Sequence, residues 1–205
     1  ILNAIRAHLA EFGIVAAQGP RHVVDLIARM QCEENSVLPT IARRAILALA
    51  AQLASLVQQI NALERELLIW HRTSASSQRL ATIPGIGIIT ATALAASVPD
   101  PGVFKSGRQF AAFLGLVPRQ NSSGGKSRLG HISKMGNGYL RKLLVVGATS
   151  VLRRARASDA DRAPWVHALL ERKPARVVTV AIANKTARTA WALLSHEDVY
   201  RRAAV

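Results

Sequence analysis

The chain has 205 residues and a formal net charge of +15, and half of its residues are hydrophobic while only 4% are aromatic. That length is enough for one or two domains with a real core, and the single cysteine, Cys32, excludes a disulfide framework. Ala, Leu, Ile and Val supply most of the apolar residues, which favours packed helices and predicts an all-α fold. With no secretory signal visible, we expect a reduced, cytoplasmic location.

The first segment, residues 1–36, predicts two short helices. Residues 1–12 have the pattern of the end of a helix that Gly13 stops, and a second helix follows Pro20. Residues 31–37 then form a polar break. Because the chain starts in the middle of an apparent helix, we expect it to be a fragment of a longer protein.

A long helix begins near Pro39 and carries a heptad pattern, which predicts a coiled-coil arm over residues 37–75. Its apolar residues recur at alternating spacings of three and four: Ile46, Leu49, Leu53, Leu56, Ile60, Leu63, Leu67 and Trp70. The other interpretation is a helix that lies on the core of its own domain. We favour self-association, because the flanking segments are too short to cover the whole seam.

Residues 73–77 break the long helix and predict a linker, with a domain boundary near residue 75. The uncharged run from Leu80 to Pro99 is twenty residues long, as a membrane span requires. Pro84 and two glycines interrupt it, however, so we divide it into helix, turn and helix and expect no membrane partner.

Residues 78–97 have the form of a helix-hairpin-helix, in which PGIG makes the turn. Gly85 and Gly87 leave backbone N–H groups bare beside the N-terminus of the second helix, where a nucleic-acid phosphate can bind. The alternative is an ordinary helical hairpin with a glycine-rich turn. The second helix lacks the Lys or Arg expected of the binding form, so this copy is either a weak phosphate site or purely structural.

Positive charge is concentrated after this hairpin, because no Asp or Glu lies between Asp100 and Asp159. That span holds eleven basic residues: Lys105, Arg108, Arg119, Lys126, Arg128, Lys134, Arg141, Lys142, Arg153, Arg154 and Arg156. The simplest interpretation is a solvated basic face. We favour nucleic acid, because the charge is local and uncompensated charges repel one another unless a polyanion is near.

Within the basic span, residues 116–133 predict a long Ser/Gly-rich basic loop or a short β-hairpin, and Asn137 caps the helix predicted at 138–156. The loop has no metal-ligand spacing and no nearby acid for a Ser-His-Asp arrangement. Two roles remain open for its serines. One hydroxyl attacks a DNA phosphodiester while Arg and Lys neutralise the phosphate oxygens, or the serines simply hydrogen-bond phosphate backbones.

Three segments together resemble one protein family. They are IPGIG at 83–87, the long block FKSGRQFAAFLGLVPRQNSSGGKSRLGHISKMGNGYLRKLLVVGA at 104–148, and AIANKTARTAWALL at 181–194. They look like the C-terminal transposase domain of the insertion sequence 110 family, and in particular of its 1111 subgroup. The resemblance implies a helical transposase domain over residues 76–205.

The resemblance also implies partners. Family members pair an N-terminal RuvC-like domain, whose four acidic residues hold Mg²⁺, with a coiled coil and a transposase domain that supplies a serine nucleophile. They act on DNA as homodimers or tetramers guided by a structured bridge RNA, which implies a bacterial, nucleoid-associated location. Residues 1–36 resemble the remnant that follows the RuvC-like domain.

The family serine precedes a glycine, which implies Ser123 as the nucleophile and leaves Ser122 as the rival. Flanking basic residues are then candidates for phosphate clamps: Arg119, Lys126, Arg128 and Lys134. Arg141 and Lys142 open the next helix and are candidates for gripping a DNA or RNA backbone. His131 is a candidate acid or base, although a lone histidine near a turn is more often structural.

The chain departs from the family pattern because the RuvC-like domain is absent from it, so we expect no metal cofactor within the chain. We expect this fragment to bind nucleic acid and to be unable to complete recombination alone. Two other hypotheses stay open. One is a non-catalytic helix-hairpin-helix module for DNA binding and dimerisation, and the other is a helical protein whose basic face meets only RNA.

Overall fold

The computed structural model describes residues 1–32, 38–126, 128–157 and 163–201, with the side chains of residues 31 and 32 excepted. Most of the predicted polar break at 31–37 therefore lies outside the described residues, as do Ser127, Asp159 and the Cys32 side chain. The all-α prediction is confirmed, since the described residues form nine α-helices and one small two-stranded sheet.

The helices follow the sequence signals closely. In chain order they are α1 Leu2–Glu11, α2 Pro20–Cys32, α3 Thr40–Thr73, α4 Ala75–Ala81, α5 Ile88–Ser97, α6 Gly107–Phe113, α7 Gly138–Arg156, α8 Pro164–Leu170 and α9 Ala175–His196. A single 3₁₀ turn covers Pro101–Val103, and the strands are β1 Pro118–Gln120 and β2 Leu129–Ile132. The chain separates into two compact units, Ile1–Glu66 and Leu67–Val205, so this division falls within α3 rather than near residue 75.

The first unit has a small core of its own. Ile5 and Leu9 of α1, Val23 and Ile27 of α2 and Ile46 of α3 are buried together. Proline and glycine set the boundaries, because α2 begins at Pro20 and Gly13 follows α1 with a φ of +75°. Both boundaries lie where the sequence predicts them.

The predicted seam of α3 has two different environments. Ile46 is buried in the first unit, where Leu49 and Leu53 pack partly buried against the same core. The seam residues from Leu56 to Trp70 are exposed, and Leu63 is 59% exposed. By length and composition alone, α3 is also the one helix of the described residues that is apolar enough to cross a membrane.

The core of the second unit lies between α7 and α9, with α6 against α9 and the α4–α5 hairpin against α7 and α9. Its largest fully buried side chains include Phe110, Leu140, Leu144 and Val178. Both α6 and α7, between which the β-strands lie along the chain, are therefore packed against α9.

The break at 73–77 is a cap and not the predicted linker. Ser74 separates α3 from α4, and its Oγ accepts a hydrogen bond from the backbone N–H of Ser77 at 3.3 Å. Ser77 is fully buried, and its hydroxyl lies 2.7 Å from Nδ1 of His71. A capped helix start satisfies free N–H groups, so the chain needs no flexible spacer here.

The apolar run at 80–99 is divided as predicted, because α5 is only ten residues long. The Ile86 N–H donates to the Ile83 carbonyl at 3.0 Å, and Gly85 has a φ of +88°. Proline followed by a positive-φ glycine is the pattern of a type II turn. Ile86 is buried in the core.

Candidate nucleic-acid interface

The predicted serine loop is a β-hairpin in the structure. β1 and β2 pair antiparallel, with Pro118 opposite Ile132 and Gln120 opposite Leu129. At the tip, the Lys126 N–H donates to the Ser123 carbonyl at 3.0 Å. Gly124 and Gly125 between them have φ values of +55° and +73°. Positive φ at both central positions is what a type I′ turn requires, so the paired glycines set the tight tip.

The two candidate serines differ in how their hydroxyls are used. The Ser122 Oγ accepts a hydrogen bond from the backbone N–H of Arg128 at 3.1 Å, across the hairpin. The Ser123 hydroxyl makes no hydrogen bond to any other described residue, and it lies exposed at the start of the turn. Ser122 therefore closes the hairpin, whereas Ser123 presents a free hydroxyl to solvent.

Positive charge surrounds the hairpin. Four predicted phosphate clamps lie on it or at its base, and all are exposed: Arg119, Lys126, Arg128 and Lys134. No Asp or Glu occurs among the described residues between Asp100 and Ala157. Charges on an exposed hairpin with no counter-charge in this stretch attract a polyanion most strongly at low salt.

The base of the hairpin is held against the end of α6. The Ser133 N–H donates to the Val117 carbonyl at 2.8 Å, and the Lys134 N–H donates to the Gly115 carbonyl at 3.1 Å. Lys134 has a φ of +55°, an uncommon conformation that costs a side chain about 1 kcal/mol. These bonds fix where the hairpin leaves the helical scaffold.

The start of α7 is capped as predicted, and the two basic residues that follow the cap, Arg141 and Lys142, have different surroundings. The Asn137 Oδ1 accepts from the N–H groups of Tyr139 and Leu140 at 3.1 and 3.0 Å. Arg141 donates from its guanidinium to the carbonyls of Leu114 at 2.9 Å and Met135 at 3.4 Å. The structure thus gives Arg141 a role in joining α6 to α7, while Lys142 is exposed.

The two predicted phosphate-binding glycines also face differently. A Cβ on Gly85 would lie 2.8 Å from the Val151 Cγ2 and 2.9 Å from the Gly147 carbonyl oxygen, so this glycine faces α7. Gly87 is the N-cap of α5, and a Cβ there would meet no atom within 4 Å, so this glycine faces open space. Gly147 lies about 14 Å along α7 from its start, so the turn is separate from the serine hairpin.

The described residues do not fit the metal that the resemblance implies. Among them no three His, Cys, Asp or Glu side chains come together as a metal site. Mg²⁺ prefers carboxylate oxygens, and the described part of the hairpin offers only hydroxyl, amide, imidazole and cationic groups.

Comparison with known proteins bears directly on this region. The family model described as "Transposase IS116/IS110/IS902 family" matches residues 77–163, which include the α4–α5 hairpin, the serine hairpin and α7. Residues 77–163 are therefore similar to the IS116/IS110/IS902 transposase family.

Relatives extend this likeness over nearly the whole chain. A protein of Pseudomonas aeruginosa named as a family 20 transposase is 45% identical over 202 residues, which cover 98% of this chain and 60% of the relative. The transposase for insertion sequence element IS1328 of Yersinia enterocolitica is 40% identical over 201 residues, 98% of this chain and 59% of the relative.

The transposase for insertion sequence element IS1111A of Coxiella burnetii is 37% identical over 201 residues, which cover 98% of this chain and 55% of that protein. The chain therefore spans little more than half the length of these transposases. The family resemblance seen in the sequence is confirmed for the transposase family, and the 1111 subgroup stays a prediction.

Proposed function

We propose that this chain supplies the serine nucleophile of a DNA transposase that acts in RNA-guided strand exchange, and that Ser123 is that nucleophile. One observation carries the proposal. The Ser123 hydroxyl is exposed and unbonded among the described residues, at the tip of a basic hairpin within the family-matched segment. The neighbouring Ser122 hydroxyl is already used to close the hairpin.

The proposed step is a transesterification. The Ser123 Oγ attacks the phosphorus of a DNA phosphodiester, an Oγ–P bond forms, and one P–O bond to the strand breaks. The hydroxyl proton passes to a base, for which the exposed His131 is the candidate, and the departing strand oxygen takes up a proton. Arg119, Lys126 and Arg128 neutralise the developing charge on the phosphate oxygens.

A phosphoserine ester conserves the energy of the broken bond. A hydroxyl of another strand can therefore attack the phosphorus, release Ser123 and rejoin the DNA without a nucleotide cofactor. The Mg²⁺ expected of the family would act from a RuvC-like domain outside this chain, and a bridge-type guide RNA would select the strands. These roles rest on the family resemblance, so we propose that the chain alone binds DNA without completing recombination.

The bare half of the α3 seam supports self-association. Ile60 and Leu63 are 53% and 59% exposed, at successive seam positions of a heptad pattern. Gln58, Gln59 and Asn61 lie off the seam, where a lipid environment would disfavour them. We therefore propose a homodimer or tetramer formed through α3 rather than a membrane span.

Aspartate at both Ile60 and Leu63 is expected to abolish that self-association. Burying carboxylates in a coiled-coil seam costs about 3 kcal/mol or more, which weakens the oligomer at least about 100-fold. Light scattering coupled to size-exclusion chromatography measures the mass. Gln58→Asp with Asn61→Asp adds the same charge on the outer face and is expected to leave the mass unchanged. Equal masses for both pairs would show that the seam does not hold the oligomer.

Covalent capture tests the proposed nucleophile. Two forms of the protein are compared, the chain alone and the chain joined to the RuvC-like domain of a relative. Each form is mixed with RNA and a nicked suicide DNA. The mixture is then denatured and searched for protein–DNA adducts by mass spectrometry. An adduct on Ser123 supports the proposal. Tight, salt-sensitive DNA binding with no adduct in either form would favour the non-catalytic DNA-binding module.

A further inference from the structure

A shallow groove of about 450 Å³ lies on the second unit between the start of α6 and α9, and the proposed reaction does not use it. We name it the α6/α9 groove, and its lining is Ser106, Gly107, Arg108, Arg188, Trp191 and Ala192. No carboxylate is part of that lining. The groove is therefore a basic surface whose occupant can be inferred from its chemistry.

Close helix packing builds the groove. Gly107 is buried, and a Cβ there would lie 3.1 Å from the Arg188 carbonyl oxygen and 3.2 Å from the Trp191 ring. The Trp191 Nε1 donates to the Pro101 carbonyl at 3.1 Å, which fixes the indole. The backbones that carry Arg108 and Arg188 are thereby held side by side, so the groove is formed before any ligand arrives.

Both arginines are exposed, and neither guanidinium makes a hydrogen bond or ion pair with another described residue. Two like charges on one groove repel each other, and an anion between them removes that repulsion. The planar guanidinium donates two parallel hydrogen bonds to a phosphate, which makes arginine the usual residue for phosphate recognition. The groove therefore suits a phosphodiester.

Helix α9 links the groove to the segment that precedes the serine hairpin. The Asn184 Nδ2 donates to the Leu116 carbonyl at 3.1 Å, just before β1. Arg188 lies one helical turn further along α9, a rise of about 6 Å. A strand that passes the base of the hairpin can therefore reach Arg188 and Arg108 without leaving the surface of α9.

We propose that Arg108 and Arg188 in the α6/α9 groove bind backbone phosphates of the DNA strand that carries the phosphodiester attacked by Ser123. The choice of DNA rests on the proposed function, whereas the preference for a phosphodiester rests on the two unpaired guanidiniums. These contacts position the strand, because hydrogen bonds to backbone phosphates carry no sequence information.

Salt-dependent binding of the full chain to a fluorescent DNA duplex, followed by anisotropy, tests the groove. Arg108→Gln with Arg188→Gln is expected to weaken binding and to lower the slope of log K against log salt by about 1.8, since each lost phosphate contact removes about 0.9. Arg108→Lys with Arg188→Lys keeps the charge and is expected to keep most of the slope. This lysine pair separates a lost contact from a misfolded groove.

The matched control is Arg29→Gln with Arg44→Gln, which removes the same charge from two exposed positions of the first unit. Equal slopes for the groove pair and the control pair would overturn the inference, as would a slope change seen with RNA duplex but not with DNA. Adduct formation at saturating DNA is measured separately. If the glutamine pair lowers the slope and the wild type forms no adduct, the groove proposal stands and Ser123 is rejected as the nucleophile. If the wild type forms the adduct on Ser123 and the glutamine pair leaves the slope unchanged, the nucleophile stands and the groove proposal is rejected.

Discussion

Replacement of Ser123 by Ala is expected to abolish covalent capture of DNA, whereas replacement of Ser122 by Ala is expected to reduce it only in part. Loss of a catalytic nucleophile lowers rates by at least about 10³-fold, because no other group in the site replaces it. Ser123→Ala removes the exposed hydroxyl at the tip of the hairpin, which makes no hydrogen bond to the residues that the structure describes. DNA binding is therefore expected to persist in that variant.

Ser122→Ala has a different physical effect. It removes the acceptor for the Arg128 N–H, a hydrogen bond worth about 1 kcal/mol to the closed hairpin. The tip is then ordered for a smaller fraction of the time, and adduct formation slows while the nucleophile remains. Ser122→Thr keeps an acceptor oxygen and is expected to restore most of the rate.

Peptide mapping of the adduct gives the decisive measurement for this pair. The wild-type chain and both Ser122 variants should carry the nucleotide on Ser123, and Ser123→Ala should carry none. Capture that survives in Ser123→Ala and maps to Ser122 would reverse the assignment. Binding to an intact duplex, measured in parallel, shows whether any lost adduct reflects chemistry or affinity.

The sequence predicts those features that depend on neighbours along the chain. Asn137 caps α7 through residues two and three positions away, and Ser106 caps α6 in the same way, through the Gln109 N–H at 3.3 Å. Paired glycines similarly indicate the tip of the serine hairpin. Each signal acts within one turn of backbone, where composition and spacing are enough to determine the conformation.

Contacts between distant segments are what the sequence could not provide. Arg141 lies in the basic span and is, by sequence, a candidate to bind a nucleic-acid backbone. In the structure its guanidinium donates hydrogen bonds to the carbonyls of Leu114, after α6, and Met135, before α7. Arg108 lies in the basic span and Arg188 lies far beyond it in sequence, and only the packing of Gly107 against α9 brings them to one groove. Tertiary packing decides such roles, because it determines whether a backbone carbonyl or a ligand lies at hydrogen-bond distance from the cationic side chain.

The seam of α3 shows the same limit within a single helix. Its heptad spacing is uniform from Ile46 to Trp70, yet the first unit buries Ile46 and leaves Leu63 exposed. Periodicity identifies an apolar face but not what covers it. The helix lies on the core of its own unit at Ile46, and self-association through the exposed part of the seam stays a prediction.

Gly147→Ala is expected to lower the free energy of unfolding of the second unit by about 3 kcal/mol, through overpacking at a backbone contact. On helix propensity alone, alanine in the middle of α7 should stabilise the helix by about 1 kcal/mol. Here, however, the added Cβ would overlap the Gly85 carbonyl oxygen of the α4–α5 turn. Backbone cannot move aside as a flexible side chain can, so the sign is reversed.

Thermal unfolding followed by circular dichroism measures this change, and a loss of about 3 kcal/mol corresponds to a fall in Tm of about 10 °C. Gly87→Ala is the matched control, because it makes the same substitution in the same turn where no atom lies within 4 Å. As an N-cap change it is expected to cost less than about 1 kcal/mol.

A Gly147→Ala protein as stable as the wild type would show that the α4–α5 turn does not rest against α7. The expected loss of unfolding free energy would show that the α4–α5 hairpin packs against α7 within the family-matched segment. Gly85 faces α7 at the point where Gly147 has no side chain, and α7 begins directly after the serine hairpin. The turn that resembles a phosphate-binding motif would then act first as the support on which the helix behind Ser123 is positioned.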